Sequence, residues 1–384
     1  MRSAGEALAA LRADPCGARL LRAFAPGEGV SLVGGAVRDL LLGRCPRELD
    51  LVVEGDVEAA AERLGGVVMQ HDRFGTARVV TDDGCTYDLA RARAESYAHP
   101  GALPDVRPAG LEEDLRRRDA SVNAIALGLD GRLVAVEGAL DDLRAGVLRV
   151  LHPRSFEDDP TRIWRLARYA TRLRFTVEPA TRALAAAADP TIVSGDRLGA
   201  ELRLALREPD PPAALEAARA LNARLLPPAL EPRPRGLDDA LALLPPDGRA
   251  DLLALAAATA TMDLPALLAW LDAMGFTADE RDRVAAGSRA FLGAPLRAAG
   301  TPAQIARAAR GAPLEAIALA GGPNARRWLE ELRHVRLEID GHDLLAAGIP
   351  EGPEIGARLQ RALDRKLDGE VSGREAELAA VLEG

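Results

Sequence analysis

At Pro153 the sequence changes period. Before it, short alternating runs broken by Gly and Asp mix with helix-like stretches; after it, Ala, Leu and Arg recur at helical spacing to the end. Aromatic residues make up 3% of the 384, so the cores must be built mainly from Leu, Ala and Val. Ala and Leu favour helices, whereas β-branched and aromatic residues favour strands. Nine of the 26 prolines fall between Pro209 and Pro246, which marks helix ends and joints rather than one long helix. Upstream, strand-like runs cover Val30–Val33, Leu49–Val53, Val67–Gln70, Ala77–Thr81 and Thr86–Ala90, and helix-like runs cover Gly35–Leu42 and Val57–Leu64. The pattern predicts an α/β head, a small mixed sheet with helices, followed by an elongated all-α remainder. The length calls for more than one packed unit.

Three cysteines, Cys16, Cys45 and Cys85, lie far apart with no CxxC pair. So sparse and odd a count argues against a disulfide framework and against a cysteine zinc site. Glu6, Arg12 and Asp14 rule out a signal-peptide pattern in the first residues. The longest apolar run, near Leu252, is broken by Asp263 and is too short to span a membrane. The expectation is a soluble, cytoplasmic protein in a reducing compartment. The net charge of −9 sits awkwardly with a nucleic-acid partner, but it describes the whole surface and not a local one. Between Arg149 and Arg174 there are seven arginines against Glu157, Asp158 and Asp159, a local balance of +4 that suits a phosphate backbone.

The first chemically informative stretch is SLVGGAVRDLLLGRCPRELDLVVEGD, Ser31 to Asp56. A strand ends at Gly34-Gly35 and a helix begins at once, with Arg38 on its first turn. Glycine lets backbone N–H groups approach a phosphate, and a helix N-terminus favours anions. The pattern is neither GxGxxG nor a P-loop. The chain then returns at Glu48-Leu49-Asp50, where residues i and i+2 of a strand project from one face. Two hard carboxylate ligands beside a phosphate-type turn suit Mg²⁺. Asp88 lies in a later apolar strand, and the residues leave two roles open: a third metal-site acid, or an ion-pair partner of Arg91 or Arg93.

Downstream, Asp159 reads as an N-cap and Pro160 as the first residue of a helix. Ile163, Leu166, Ala167, Ala170 and Leu173 form its apolar stripe. Arg162, Arg165, Arg168 and Arg172 fall opposite, without acidic partners at i+4. Such an array repels itself unless an anion lies against it.

Three blocks in one order carry a family resemblance: GGAVRDLLLGRCPRELD, then LRRRDASVNAIA at Leu115–Ala126, then FEDDPTRIWRLARYATRLRF at Phe156–Phe175. The chain resembles the class II tRNA nucleotidyltransferases and bacterial poly(A) polymerases of the polymerase-β superfamily, and EIDGHDLLAAGIPEGPEIG (Glu338–Gly356) is similar to the tail of bacterial CCA-adding enzymes. The resemblance implies a catalytic head over 1–148, a base-recognising neck over 149–212, a body over 213–300 and a tRNA-binding tail over 301–384. It implies addition of CCA, or part of it, to tRNA 3′ ends from CTP and ATP with Mg²⁺. CC-adding, A-adding and poly(A)-adding activities, and an inactive RNA-binding relative, are the alternatives. Gly34, Gly35 and Arg38 would hold the triphosphate, and Glu48 and Asp50 the metal, with Asp88 a further catalytic acid. Arg117 would contact the nucleotide, supported by Asp119, while Asp159, Arg162, Arg165 and Arg168 would face base and phosphates. Asp159 and Arg162, three residues apart on a helix, would act together in choosing the base. Two departures stand out: Glu48 where the family has aspartate, and Ala120-Ser121 where it reads Phe-Thr.

Overall fold

A computed structural model describes residues 1–46, 48–71, 75–290 and 293–383. The chain forms two compact units, Met1–Asp210 with Ala214–Leu226, and Pro211–Ala213 with Pro227–Gly384.

The first unit opens with helices α1 (Ala4–Ala13) and α2 (Pro15–Ala23), followed by β1 (Val30–Val33), α3 (Gly34–Leu41), β2 (Leu49–Val53) and α4 (Val57–Leu64). Strands β3 (Val67–His71), β4 (Thr76–Val80), β5 (Thr86–Arg91), β6 (Arg93–Ser96) and β7 (Asp105–Pro108) come next. Helix α5 (Leu111–Arg116), β8 (Ile125–Gly128), β9 (Leu133–Ala135) and α6 (Ala139–Ala145) complete the α/β part. Seven strands pair in the order β3-β4-β5-β2-β1-β8-β9. Only β2 and β5 run parallel; the other neighbours in the sheet are antiparallel. Val33, Val52, Ala92, Leu115 and Ala126 form one buried cluster.

All five strand-like runs and both helix-like runs of the sequence are present, shifted by at most a residue at either end. Strands β6 to β9 were not anticipated. β8 is buried along most of its length and so shows no alternation, while β6 and β7 are short and charged and pair only with each other.

The cysteine expectation is corrected. Cys16, near the start of α2, and Cys85, at the entry to β5, form a disulfide with a Cα–Cα distance of 5.4 Å. They are 69 residues apart in sequence, and tertiary packing, in which α2 lies against α4, brings them together, with the Tyr87 hydroxyl donating to the Cys16 carbonyl at 2.8 Å. Spacing alone carries no trace of this, and the cysteine argument for a reducing compartment falls.

From β10 (Val147–Leu148) onward the first unit is helical: α7 (Ser155–Asp158), α8 (Arg162–Leu173), α9 (Pro179–Ala187), α10 (Gly195–Leu206) and α11 (Pro211–Leu221). A two-residue strand, β11 (Thr176–Val177), pairs with β10. The second unit is helical where described. Its helix Ala250–Ala258 is almost wholly enclosed, which suits its run of Ala and Leu, and Ile339, Leu344, Ala362 and Val381 form a further core cluster. No described helix is long and apolar enough to cross a membrane. His342-Asp343 belongs to a helix start, where Asp340 caps and Asp343 closes a capping box.

Candidate active site

Three carboxylates converge at the head of β2. Asp50 lies directly beside Asp88 in the parallel β2–β5 register, and Glu48 immediately precedes β2. One oxygen from each of Glu48, Asp50 and Asp88 lies within 4.8 Å of the others. Burial pushes the Asp50 carboxyl up to about 6, with Asp88 and Glu48 adding to the rise and Arg118 and Arg165 opposing it. Crowded hard oxygen donors with excess negative charge fit a divalent cation of the Mg²⁺ type. Asp88 also has an ion-pair partner, but neither of those expected. Arg78 on β4 grips it through two bonds of 2.7 and 2.6 Å, because cross-strand neighbours meet where residues close in sequence on one strand do not.

The Gly-Gly turn stands against these acids. Gly34 has φ +64°, a backbone conformation that favours glycine, and a Cβ there would lie 2.8 Å from Nη1 of Arg118, whose side chain would have to shift. Arg38 is buried, donating to Asn123 at 2.7 Å and Asp39 at 2.8 Å, with its guanidinium 5.6 Å from the Tyr169 ring.

One cleft of about 740 Å³ is lined by Gly34, Gly35, Arg38, Glu48, Asp50, Arg117, Asp119, Asp159, Arg162, Arg165 and Arg168. Asp88 lies outside it, in an adjoining cavity that shares Asp50. Asp119 is the hub of the cleft wall, accepting from Arg165 at 2.6 Å, Tyr169 at 2.9 Å and Asn123 at 3.0 Å. Burial alone would raise its carboxyl, but the Arg165 charge and these bonds hold it well below the usual range. Arg117 is fixed by Asp114 at 2.6 Å and Glu95 at 2.9 Å.

The α8 arginines are not the unpaired array expected. Arg165 meets Asp119, Arg168 meets Glu201 at 2.8 Å and Glu208 at 3.0 Å, and Arg172 lies 3.7 Å from Glu208. Arg162 donates to Ser155, Tyr97 and the Arg117 carbonyl. Their partners come from other elements, which i+4 counting cannot find. In the +4 strip, Arg149 is compensated from outside by Asp142 and Glu178, while Arg154 pairs with Glu157 and Asp158 of the strip itself.

The start of α8 is also corrected. Its N-cap is Thr161 and its first residue Arg162, whereas Asp159 is extended and accepts from the Thr161 backbone at 3.0 Å, the Thr161 hydroxyl at 2.6 Å and Arg197 at 2.9 Å. Asp159 and Arg162 are therefore not two residues of one helix, although both line the cleft. Sequence reasoning missed Arg118, Asn123 and Tyr169. Asn123 stood in a quoted block, and three consecutive arginines, Arg116 to Arg118, gave no means of telling which approaches Asp50.

A mixed sheet whose Gly-Gly turn faces paired strand acids, followed by a helical remainder, resembles a nucleotidyltransferase head with a helical extension. Residues 30–149 match the family described as the poly A polymerase head domain. A CC-adding tRNA nucleotidyltransferase of Deinococcus radiodurans is 45% identical over 213 residues, 53% of this chain and 56% of that protein. An A-adding tRNA nucleotidyltransferase of Geobacter sulfurreducens is 33% identical over 389 residues, 91% of this chain and 44% of that protein. The Thermotoga maritima CCA-adding enzyme, solved in complex with tRNA, is 27% identical with a TM-score of 0.70, covering 100% of this chain and 98% of the other. The chain spans about half the length of the curated relatives it matches. The chain is thus similar to tRNA nucleotidyltransferases, and its residues 30–149 to the poly A polymerase head domain, the likeness its motifs indicated.

Proposed function

We propose that this protein adds CCA, or part of it, to tRNA 3′ ends from CTP and ATP, releasing pyrophosphate. The observation that carries the reading is the single cleft in which a glycine turn, an acid pair and the α8 arginines face one another. Relatives named for CC and A addition support the substrate class. In this reading residues 1–148 are the catalytic head and 149–212 the neck that recognises the base, with body (213–300) and tail (301–384) along the tRNA. The cytoplasm is where such substrates meet.

The reaction is attack of an RNA 3′-hydroxyl on the α-phosphate. The amides of Gly34 and Gly35 with Arg38 would bind the departing pyrophosphate; Asn123, Asp39 and Tyr169 already lock Arg38 in place, so little reorganisation is needed as charge develops. Arg165 and Arg168 add positive charge along the same wall, each held by acids behind it. Glu48 and Asp50 would hold Mg²⁺, which lowers the pKa of the attacking hydroxyl and neutralises charge on the oxygens in flight. Arg117 and Asp119 would orient the nucleotide, and Asp159 with Arg162 would present an acceptor and donors to its base. Arg162 uses three of its five N–H donors on Ser155, Tyr97 and the Arg117 carbonyl, which fix the guanidinium and leave the others to serve the base.

Sequencing the products made with Mg²⁺, CTP and ATP on tRNA ending at the discriminator base, at C and at CC tests the reading. CCA, CC or A addition identifies the member of the family, and long adenylate tails would identify a poly(A) polymerase. No incorporation on any substrate would leave an RNA-binding relative.

A further inference from the structure

A second cavity of about 590 Å³ lies over strands β2, β5 and β4, and Asp50, Arg118 and Arg165 border both it and the main cleft. Transfer of a nucleotide to RNA brings two polyanions to one centre, the triphosphate and the last phosphodiester of the acceptor strand. The glycine turn and Arg38 serve the first. On the floor of the second cavity stands Arg78, its side chain 46% exposed.

Arg78 holds both oxygens of Asp88, Nε to Oδ1 at 2.7 Å and Nη2 to Oδ2 at 2.6 Å. Asp88 is also beside Asp50 in register and within ligand distance of the acid cluster. Two oxygens gripped by a guanidinium fork are weakened donors to a divalent cation, since the fork takes one lone pair of each and sets a positive charge beside them. That fork matches phosphate as well as it matches carboxylate. An exposed arginine bordering an open cavity can exchange one anion for the other without unpacking the core.

We propose that the Arg78–Asp88 pair is an exchangeable latch: the phosphate nearest the RNA 3′ end takes Arg78 in the second cavity, and the freed Asp88 joins Glu48 and Asp50 as an oxygen donor to the divalent cation. The RNA half of this rests on the function proposed above. Arg78 is thereby a positioning residue, and binding of RNA and of cation are coupled through it, each favouring the other.

The test is a double-mutant cycle on the full chain with two binding measurements. In the first, Mn²⁺ affinity of the RNA-free protein is read by electron paramagnetic resonance. Arg78→Met should tighten it by about threefold or more, and Arg78→Met/Asp88→Asn should cancel the gain. An unchanged affinity in Arg78→Met, or a gain that survives in the double variant as bare charge removal would produce, overturns the latch. In the second, a tRNA transcript ending at the discriminator base is titrated in EDTA. Asp88→Asn should tighten tRNA binding when Arg78 is present and leave it unchanged in the Arg78→Met background. An effect of equal size in both backgrounds is simple repulsion between Asp88 and RNA, and sinks the proposal. A wild-type protein that neither binds nor extends the transcript refutes the functional reading instead, while the Mn²⁺ cycle still decides whether Arg78 blocks Asp88.

Discussion

Asp50 is held in a place that resists its charge. Burial and the neighbouring Asp88 carboxylate push its pKa up to about 6, above an unfolded value of about 4. The folded chain therefore takes up a proton between those values. The contribution of Asp50 to metal-free stability is fully present at the acid end of that window and is lost as pH rises through about 6, by at most about 3 kcal/mol. Asp50→Asn abolishes that titration, so in EDTA the variant should melt higher than wild type at pH 7.5 and show little difference near pH 4. Thermal denaturation at the two pH values measures this; equal melting temperatures at pH 7.5 would mean that the acids do not crowd one another in solution. Mg²⁺ should raise the wild-type melting temperature more than that of the variant. The acid pair and glycine turn were legible because both depend on local rules, alternation along a strand and the freedom of glycine. The partners of Asp88 and Asp119 were not, because they arrive from β4 and α8.

Helix α8 shows the same division. Its apolar stripe was readable from spacing, and Ile163, Leu166, Ala167 and Leu173 are buried. Its electrostatics were not, because Glu201 and Glu208 come from α10 and just beyond it. Glu208 is 6% exposed and sits against Arg168 and Arg172. Glu208→Gln leaves two largely buried guanidiniums short of a counter-charge and should destabilise the protein by about 3 kcal/mol in urea titrations. A loss below about 1 kcal/mol would show that Glu201 suffices. The helix start also fixes what Asp159 can do. It shapes the turn through Thr161 and ties it to Arg197, so Asp159→Ala tests two roles at once. If the carboxylate reads the base, kcat/KM should rise for UTP and GTP relative to CTP and ATP. If it only braces the turn, all four should fall together. The missed strands have a similar origin: β8 is enclosed and so lacks the alternation by which a half-buried strand is recognised.

At the scale of the molecule, the net charge of −9 reaches into the strip that looks basic in sequence. Arg149 and Arg154 are two of the seven arginines of that strip, yet Arg149 is matched by Asp142 and Glu178 from outside it and Arg154 by Glu157 and Asp158 within it. Substituting both with glutamine should leave the slope of log affinity for tRNA against log salt concentration unchanged. A slope that flattens by about one per residue would place both on the phosphate backbone. The division into an α/β head and a helical remainder was legible from the change of period at Pro153. The head's closure was not, since the Cys16–Cys85 link depends on tertiary packing.

That link also fixes how the head would respond to a broken peptide bond. The ring it closes contains β1, α3, β2, α4, β3 and β4, and so carries Gly34, Glu48 and Asp50, while Asp88 stands just outside. A protease cut at a single point between Cys16 and Cys85 would therefore leave one covalent molecule, of full apparent mass in a denaturing gel without thiol. Adding a thiol should release two fragments and, for cuts beyond Asp50, separate Glu48 and Asp50 from Asp88 on different pieces.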